Sequence, residues 1–166
     1  MAESSLRIGL GYDAHAFTAG RPLVLGGVTI PHPKGLKGHS DAGVLCHAIA
    51  DALLGALSAG DIGQLFPDTD PQYTSISSLI LLSRVRDLME QKGARLVNVD
   101  AVLILEQPPV SEYFHEMRKN VAEALQASSS TVSIKATRNE GMGFIGRAEG
   151  VAAFAVALVT LGAPTV

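Results

Sequence analysis

The sequence predicts an α/β fold, an α+β sandwich in which a mixed sheet of four to five strands has its helices packed on one face. Two observations predict it. Strand-like and helix-like segments follow one another in the order strands, helix, helix, strand, helix, strand, strand. In addition, 47% of the 166 residues are apolar, enough for a full hydrophobic core in a single domain over residues 1–166. This apolar fraction is high for a small monomer and also favours an oligomer.

The first half of the chain combines two strand signals with one helix signal. Near the N-terminus, apolar side chains alternate with Gly9 and Gly11, the period-two pattern of a strand. Two short apolar runs separated by Gly26 and Gly27 indicate a hairpin. Apolar residues then recur with helical spacing, and Gly60 is placed to end that helix. The predicted elements are a strand over 7–12, a hairpin over 23–30, a loop over 31–40, a helix over 42–58 and a polar loop over 61–71.

The second half alternates helices with strands. Ser77 or Ser78 is placed to cap a helix that runs to Lys92, and Gly93 follows as its stop. The run over residues 150–161 is predicted as the last strand, although its alanines leave a helix open. The other predicted elements are a strand over 97–105, a helix over 112–126, a strand over 132–137 and a glycine-rich loop over 139–146.

Composition excludes several classes of function and location. The formal net charge is −3 and no cluster of Lys and Arg stands out, which argues against nucleic acid as a partner. The single cysteine, Cys46, allows no disulfide within the chain and fits a reducing compartment. Residues 1–5 precede no signal-peptide core, and the apolar stretch 151–161 is too short to span a bilayer. We expect a cytoplasmic protein with no membrane partner, or a stromal one if an organelle transit peptide was removed.

Two histidines and two aspartates suggest a metal centre. Asp13 and His15 stand two apart in an extended segment, so both side chains point to the same side, and His47 on the following helix supplies a third ligand. Such a set is typical of catalytic zinc sites with one open position. Asp51, four residues after His47, would orient its imidazole. The alternatives are a surface turn with an Asp cap, and a buried histidine satisfied by a neighbouring carboxylate.

Three loops carry weaker signals. The segment from His39 to Asp41 is either a helix cap or a phosphate site in which His39 donates to a phosphate oxygen. The acidic segment 61–70 has ordinary turn chemistry, which physics alone favours, or it grips the hydroxyls of a sugar-like ligand. The segment 137–147 is a flexible hairpin loop, or its glycines approach a phosphate while Glu140 binds Mg²⁺ or Mn²⁺. The Walker, G-x-G-x-x-G and G-x-S-x-G motifs are absent from the sequence.

Four collinear motifs carry a resemblance to a known family. They are RIGLGYDAHAF, LVLGGVTIP, GHSDAGVLCHAIADALLGALSAGDIGQLFPDTDP and KATRNEGMGFIGRAEG. With them the chain resembles the 2-C-methyl-D-erythritol 2,4-cyclodiphosphate synthase family over residues 7–161. The resemblance implies a homotrimer with active sites at the subunit interfaces. It also implies zinc, or another divalent cation, on Asp13, His15 and His47, with Mg²⁺ or Mn²⁺ on Glu140 and the substrate phosphates.

The implied reaction is the cyclisation of a cytidine-diphosphate substrate. 4-Diphosphocytidyl-2-C-methyl-D-erythritol 2-phosphate would give the 2,4-cyclodiphosphate and CMP, a step in isoprenoid precursor synthesis. The resemblance implies catalytic roles for His39 and Arg138. The implied substrate-binding residues are Asp13, His15, His39, Ser40, Asp61, Ile62, Gly63, Phe66, Pro67, Asp68, Thr69, Asp70, Pro108, Thr137, Arg138, Asn139, Glu140, Phe144 and Arg147.

Three positions depart from the family pattern. Gly43 stands where an Asp is usual, Arg138 where a threonine is common, and Pro109 where a lysine is common. The metal ligands are intact, so these departures bear on nucleotide contacts and rate. Two other functions use the same residues: a zinc-dependent phosphohydrolase, and a non-catalytic trimeric binder of metal or isoprenoid phosphate. The hydrolase lacks an obvious general base such as the Glu of H-E-x-x-H.

Overall fold

The computed structural model describes residues 5–162 and contains a mixed five-stranded sheet. The strands are β1 (Ser5–Ala19), β2 (Leu23–Leu25), β3 (Val28–Ile30), β4 (Lys34–Leu36), β5 (Ala94–Ile104), β6 (Val132–Thr137) and β7 (Gly150–Leu161). The sheet has the order β4-β1-β7-β5-β6, and only β5 and β6 pair in parallel. Strands β2 and β3 form the predicted hairpin apart from it. The mixed sheet is confirmed. Residues 1–4, part of the segment used above to predict location, lie outside the described residues.

Helices cover one face of this sheet. They are α1 (Val44–Ala56), α2 (Ile62–Leu65), α3 (Ser78–Gln91), α4 (Phe114–Ala124) and α5 (Gly143–Gly146), with 3₁₀ turns at Pro71–Tyr73, Ser111–Tyr113 and Ser129–Thr131. Helix α1 packs on β1 and β7, α3 packs on α1, and α4 packs on α3 and β6. Ser77 caps α3 as predicted, because its Oγ accepts the amide hydrogen of Leu79 at 3.3 Å. No helix among the described residues is both long and apolar enough to cross a bilayer.

Three predicted loops contain short regular elements. Strand β4 lies in the predicted loop over 31–40, and it exists because Leu36 pairs with Phe17 on an extension of β1 that the sequence pattern did not show. Helix α2 lies in the polar loop, where the Asp61 side chain caps it by accepting from the Gln64 amide at 2.8 Å. Helix α5 ends the glycine-rich loop. The open choice for residues 150–161 is settled as strand β7.

Glycine and alanine line the contact between α1 and the two central strands. Gly9 and Gly11 of β1 pair with Ala157 and Ala155 of β7, and all four are buried. A Cβ on Gly11 would lie 1.8 Å from the carbonyl oxygen of Ala48 in α1. The helix backbone therefore rests against the strand backbone, at a distance that no other residue at position 11 permits.

The face of β1 and β7 that points away from the helices carries large apolar side chains that are exposed in the single chain. Because side chains alternate along a strand, the neighbours of the buried glycines point away from α1. Leu10 is 65% exposed there. The large apolar side chains of this open face are Leu6, Ile8, Leu10, Tyr12, Phe154 and Val156. A contiguous apolar face of this kind is typical of a protein interface.

Two Gly-to-Ala substitutions test the helix–strand contact. Gly11→Ala should lower the free energy of unfolding by roughly 3 kcal/mol, because the new methyl group overlaps a backbone oxygen that cannot turn away. Gly55→Ala, inside α1, places its Cβ no closer than 3.8 Å to Leu10 and should raise stability by roughly 0.5–1 kcal/mol. Urea unfolding of both variants measures the difference. Equal effects from the two would contradict the proposed close contact.

Candidate metal centre

The packing of α1 on β1 brings three chemically active side chains together. Asp13 and His15 continue the odd-numbered face of β1 that carries Gly11, so they point toward the helix layer. Two residues along a strand span about 6.6 Å, close to one helical turn. Because Gly11 lies against Ala48, the next step along β1 reaches the first turn of α1, where His47 lies.

The three side chains converge on one point. Asp13 Oδ2 lies 2.9 Å from His15 Nε2 and 2.9 Å from His47 Nδ1, and these two nitrogens are 3.4 Å apart. Each residue thus offers one ligand atom, and all three atoms lie within 4.8 Å of one another. The predicted convergence is confirmed. Glu140, predicted as a metal ligand on the substrate side, is not part of this cluster.

The outer nitrogen of each imidazole is held by the protein. His15 Nδ1 lies 2.7 Å from the carbonyl oxygen of Lys37, which can only accept, so Nδ1 donates and, in the neutral imidazole, Nε2 carries the lone pair that can bind a cation. His47 Nε2 lies 3.0 Å from Ser78 Oγ and 3.2 Å from Ser40 Oγ. Metal-bound histidines are normally fixed in this way. The donor set, two imidazoles and a carboxylate, therefore fits a divalent cation such as zinc.

The cluster also shifts its own proton affinities. Burial raises the pKa of Asp13, but hydrogen bonds with His15 and His47 outweigh it and hold that pKa well below its usual range. Burial lowers the pKa of His15, yet its hydrogen bond to Asp13 and the charge of that carboxylate raise the pKa overall. Below the raised pKa of His15, a proton on its imidazole offsets the Asp13 charge, and a cation that binds there has to displace that proton.

The predicted partner of Asp51 is wrong. Asp51 was expected to orient His47, but its Oδ1 accepts from the amide of Ile62 at 2.7 Å. Both nitrogens of His47 are already engaged, by Asp13 and by the two serine hydroxyls. Burial raises the pKa of Asp51, while the Ile62 hydrogen bond opposes that rise. Asp51 therefore ties α1 to the start of α2.

A cavity of about 370 Å³ opens beside the cluster. Its lining includes His15, Gly38, His39, Ser40, His47, Ile62, Gly63, Phe66, Asp68, Tyr73 and Leu81. Six of the residues expected from the resemblance to contact substrate therefore surround the two histidines. The other four predicted residues of the acidic loop, Asp61, Pro67, Thr69 and Asp70, are not in the lining. Asp61 and Asp70 instead cap α2 and a 3₁₀ turn.

The remaining predicted residues lie elsewhere on the chain. Pro108, Thr137 and Arg138 line a second cavity of about 410 Å³, which shares no residue with the first. Four others line neither cavity: Asn139, Glu140, Phe144 and Arg147. A larger cavity of about 630 Å³, between the end of α3 and the start of β5, contains none of the predicted residues and lies away from the cluster.

Two residues that the sequence did not single out hold these loops. Glu106 Oε1 accepts from the amides of Asn139 at 2.8 Å and Gly141 at 3.2 Å, so it clamps the backbone on both sides of Glu140. Arg21 donates to the carbonyl oxygens of Gly38 and Ser40 beside the first cavity. Neither residue lies in a motif, and each acts on backbone far away in sequence, so no local pattern identifies it.

Comparison with known proteins agrees with this architecture. The model of the YgbB family matches residues 6–160. The chain belongs to the YgbB family. A relative in Pelotomaculum thermopropionicum, named 2-C-methyl-D-erythritol 2,4-cyclodiphosphate synthase, is 56% identical over 154 residues, 93% of this chain and 95% of that protein. The family resemblance and the predicted enzyme class, cyclodiphosphate synthase, are confirmed.

Solved structures of the family share the fold. IspF of Plasmodium falciparum, in a CDP complex, has a TM-score of 0.83 at 32% identity, covering 98% of this chain and all of that one. The bifunctional IspDF of Campylobacter jejuni has a TM-score of 0.92 at 38% identity over 96% of this chain. This chain spans only 43% of that longer protein.

The proton affinities predict how the metal-free protein responds to pH. The pKa of His15 is raised above its ordinary 6.5 in the folded state. Protonated His15 therefore stabilises the folded protein fully below about pH 6.5, and this contribution is lost as the pH rises through the pKa of the folded state. Urea unfolding with a chelator present should therefore show the free energy of unfolding falling above pH 6.5. Asp13→Asn removes the carboxylate charge and should flatten this fall. If the free energy of unfolding of the native protein rises above pH 6.5 instead, the proposed ion pair between Asp13 and His15 is contradicted.

Proposed function

We propose that this chain catalyses the cyclisation of 4-diphosphocytidyl-2-C-methyl-D-erythritol 2-phosphate to 2-C-methyl-D-erythritol 2,4-cyclodiphosphate with release of CMP. The observation that carries the proposal is the convergence of Asp13, His15 and His47 at the edge of a cavity, in a member of the YgbB family. The name of the relatives and the CDP in a related structure support the substrate class.

Zinc, or another divalent cation, would be held by Asp13, His15 and His47. A second cation, Mg²⁺ or Mn²⁺, would be held by Glu140 together with substrate phosphates, since its exposed carboxylate offers the hard oxygens that these ions prefer. When bound, the two cations would supply positive charge that offsets the repulsion between approaching phosphates.

The chemistry itself needs no protein nucleophile. An oxygen of the 2-phosphate attacks the β-phosphorus, a new P–O bond closes the ring, and the P–O bond to CMP breaks so that CMP leaves with the electron pair. The task of the chain is to hold both phosphates in line. His39, whose Nε2 now pairs with Thr74 Oγ1 at 3.0 Å, lines the first cavity and would donate to a phosphate oxygen. Arg138 lines the second cavity and would bind phosphate charge there.

A homotrimer completes this proposal. The residues expected to contact the substrate fall into two separate cavities on one chain, one beside the histidine cluster and one lined by Thr137 and Arg138. Active sites at subunit interfaces would join the first cavity of one chain to the second cavity of its neighbour. The open apolar face of β1 and β7 supplies the surface that such an assembly would bury.

Removal of a ligand tests the reaction. His47→Ala should abolish zinc binding and CMP release while leaving a folded oligomer, because one of the three ligands is lost. His115→Ala is the matched control, since His115 is exposed on α4 and outside the cluster. Product analysis of the native protein separates cyclisation from hydrolysis, which would give a linear phosphate. Full turnover by His47→Ala would reject the site, and a linear product would favour the phosphohydrolase.

A charged residue on the open face tests the assembly. Leu10→Asp should convert the trimer into smaller species, because it places a charge on the apolar face of the sheet. Ile80→Asp is the control: Ile80 is 49% exposed but lies on α3, away from that face. Size-exclusion chromatography with light scattering measures both. If Leu10→Asp elutes as the native protein does, the open face is not the interface.

A further inference from the structure

We propose that Ser78 and Asp41 are positioning residues that fix the tautomer of His47, so that its Nδ1 faces the cation. The inference rests on the proposed function, because it concerns how a ligand is prepared for the metal. It deepens that function with two residues outside the set expected from the family resemblance to bind metal or substrate. One of them, Ser78, is the first residue of α3, far from His47 in sequence.

The hydroxyl of Ser78 has a single proton to donate. Ser78 is 1% exposed, and three polar groups surround its Oγ. It donates to Asp41 Oδ1, it accepts from the amide of Gly43 at 3.2 Å, and it lies 3.0 Å from His47 Nε2. A backbone amide can only donate and an ionised carboxylate can only accept. The Ser78 hydroxyl therefore donates its hydrogen bond to Asp41, and toward His47 the Ser78 Oγ can only accept.

This direction of hydrogen bonding decides where the imidazole carries its hydrogen. An acceptor beside Nε2 places an N–H there, so when a cation replaces the hydrogen that Nδ1 shares with Asp13, the lone pair that binds the cation is on Nδ1. Nδ1 is the nitrogen that lies 2.9 Å from Asp13 Oδ2 and 3.4 Å from His15 Nε2, so the lone pair points to the ligand cluster. Ser40 Oγ lies 3.2 Å from His47 Nε2 and accepts from the amide of Ala42, and among residues 5–162 no oxygen accepts its proton. Ser40 can therefore donate to the imidazole or accept from it, so it does not determine the tautomer.

Two backbone amides hold the Asp41 carboxylate in place as the acceptor of the Ser78 hydrogen bond. Its Oδ1 accepts from the amide of Gly43 at 3.1 Å, and its Oδ2 accepts from the amide of Ser78 at 3.0 Å. The carboxylate thus joins the start of α1 to the start of α3. The packing of these two helices therefore reaches the metal centre through a chain of three groups: carboxylate, hydroxyl and imidazole.

The departure at Gly43 fits the same arrangement. A Cβ at this position would lie 2.6 Å from Ser78 Oγ and 2.8 Å from Ser78 Cβ. The usual Asp of the family pattern would therefore displace the Ser78 hydroxyl from its present place. Glycine leaves the space in which Ser78 reaches His47, so positions 43 and 78 are coupled in this chain.

Zinc affinity and the histidine signal test the inference. Ser78→Ala should weaken Zn²⁺ binding about 10–100-fold in competition with a chromophoric chelator, the usual loss when an outer partner of a metal ligand is removed. In the zinc-loaded native protein, ¹⁵N-resolved NMR should show His47 with a protected Nε2–H. That proton should exchange rapidly in Ser78→Ala. Ser77→Ala is the matched control: it removes the cap of the same helix, so it should lower the melting temperature but change neither zinc affinity nor the His47 signal.

A second variant tests the inference even if Ser78→Ala fails to fold. Asp41→Asn retains the shape of the side chain but removes the negative charge that accepts the Ser78 hydrogen bond. It should therefore weaken zinc binding, as Ser78→Ala does. Unchanged zinc affinity in both variants, with Nε2–H still protected, would overturn the inference while leaving the proposed function intact. A native protein that binds no zinc and releases no CMP would instead reject the proposed function, and with it this inference.

Discussion

The arrangement of the molecule depends on how closely α1 lies against β1. At Gly11 the helix backbone occupies the space where a side chain would be, and a Cβ there would fall 1.8 Å from the carbonyl oxygen of Ala48. The alanines of β7 extend the same smooth surface beside it. This close packing fixes the distance between α1 and the sheet. It also fixes which helical turn of α1 lies opposite each residue of β1. His47 meets Asp13 because both lie one step beyond the last glycine contact. The convergence of the three candidate ligands thus depends on backbone packing as well as on which residues they are.

Around that contact, each functional group is oriented by a different segment. The carbonyl oxygen of Lys37 holds one imidazole, the hydroxyl of Ser78 holds the other, and Arg21 braces the loop between them. Glu106 does the same for the loop that carries Glu140. Each of these partners is either a backbone group or a side chain hydrogen-bonded to backbone or to a carboxylate. A site assembled in this way has little reorganisation left to undergo when a charged ligand arrives.

The sequence predicted the elements whose signals are local. Helical spacing located α1, and the two-residue step from Asp13 to His15 placed both ligands on one side of a strand. It failed where the deciding contact is distant. Asp51 was assigned to His47 because it is four residues away on the same helix, but the hydroxyl that reaches that imidazole comes from Ser78 on another helix. A period-two pattern also does not say which face is inside: on β1 the glycines are buried and the large apolar side chains are exposed. Short elements such as β4 arise only through their partners in the fold.

Strand β1 serves two unrelated tasks with its two sets of side chains. Odd positions, including Asp13 and His15, carry the ligands, while even positions, including Leu10 and Tyr12, form the open face. A single residue inserted or deleted within β1, between the paired glycines and Asp13, would exchange the two sets and turn the ligands outward. Substitutions can alter one task at a time, whereas a length change would abolish both together. The number of residues between the glycine contacts and Asp13 is therefore fixed by the fold, and residue identity is most restricted at Gly11, where a Cβ would overlap α1.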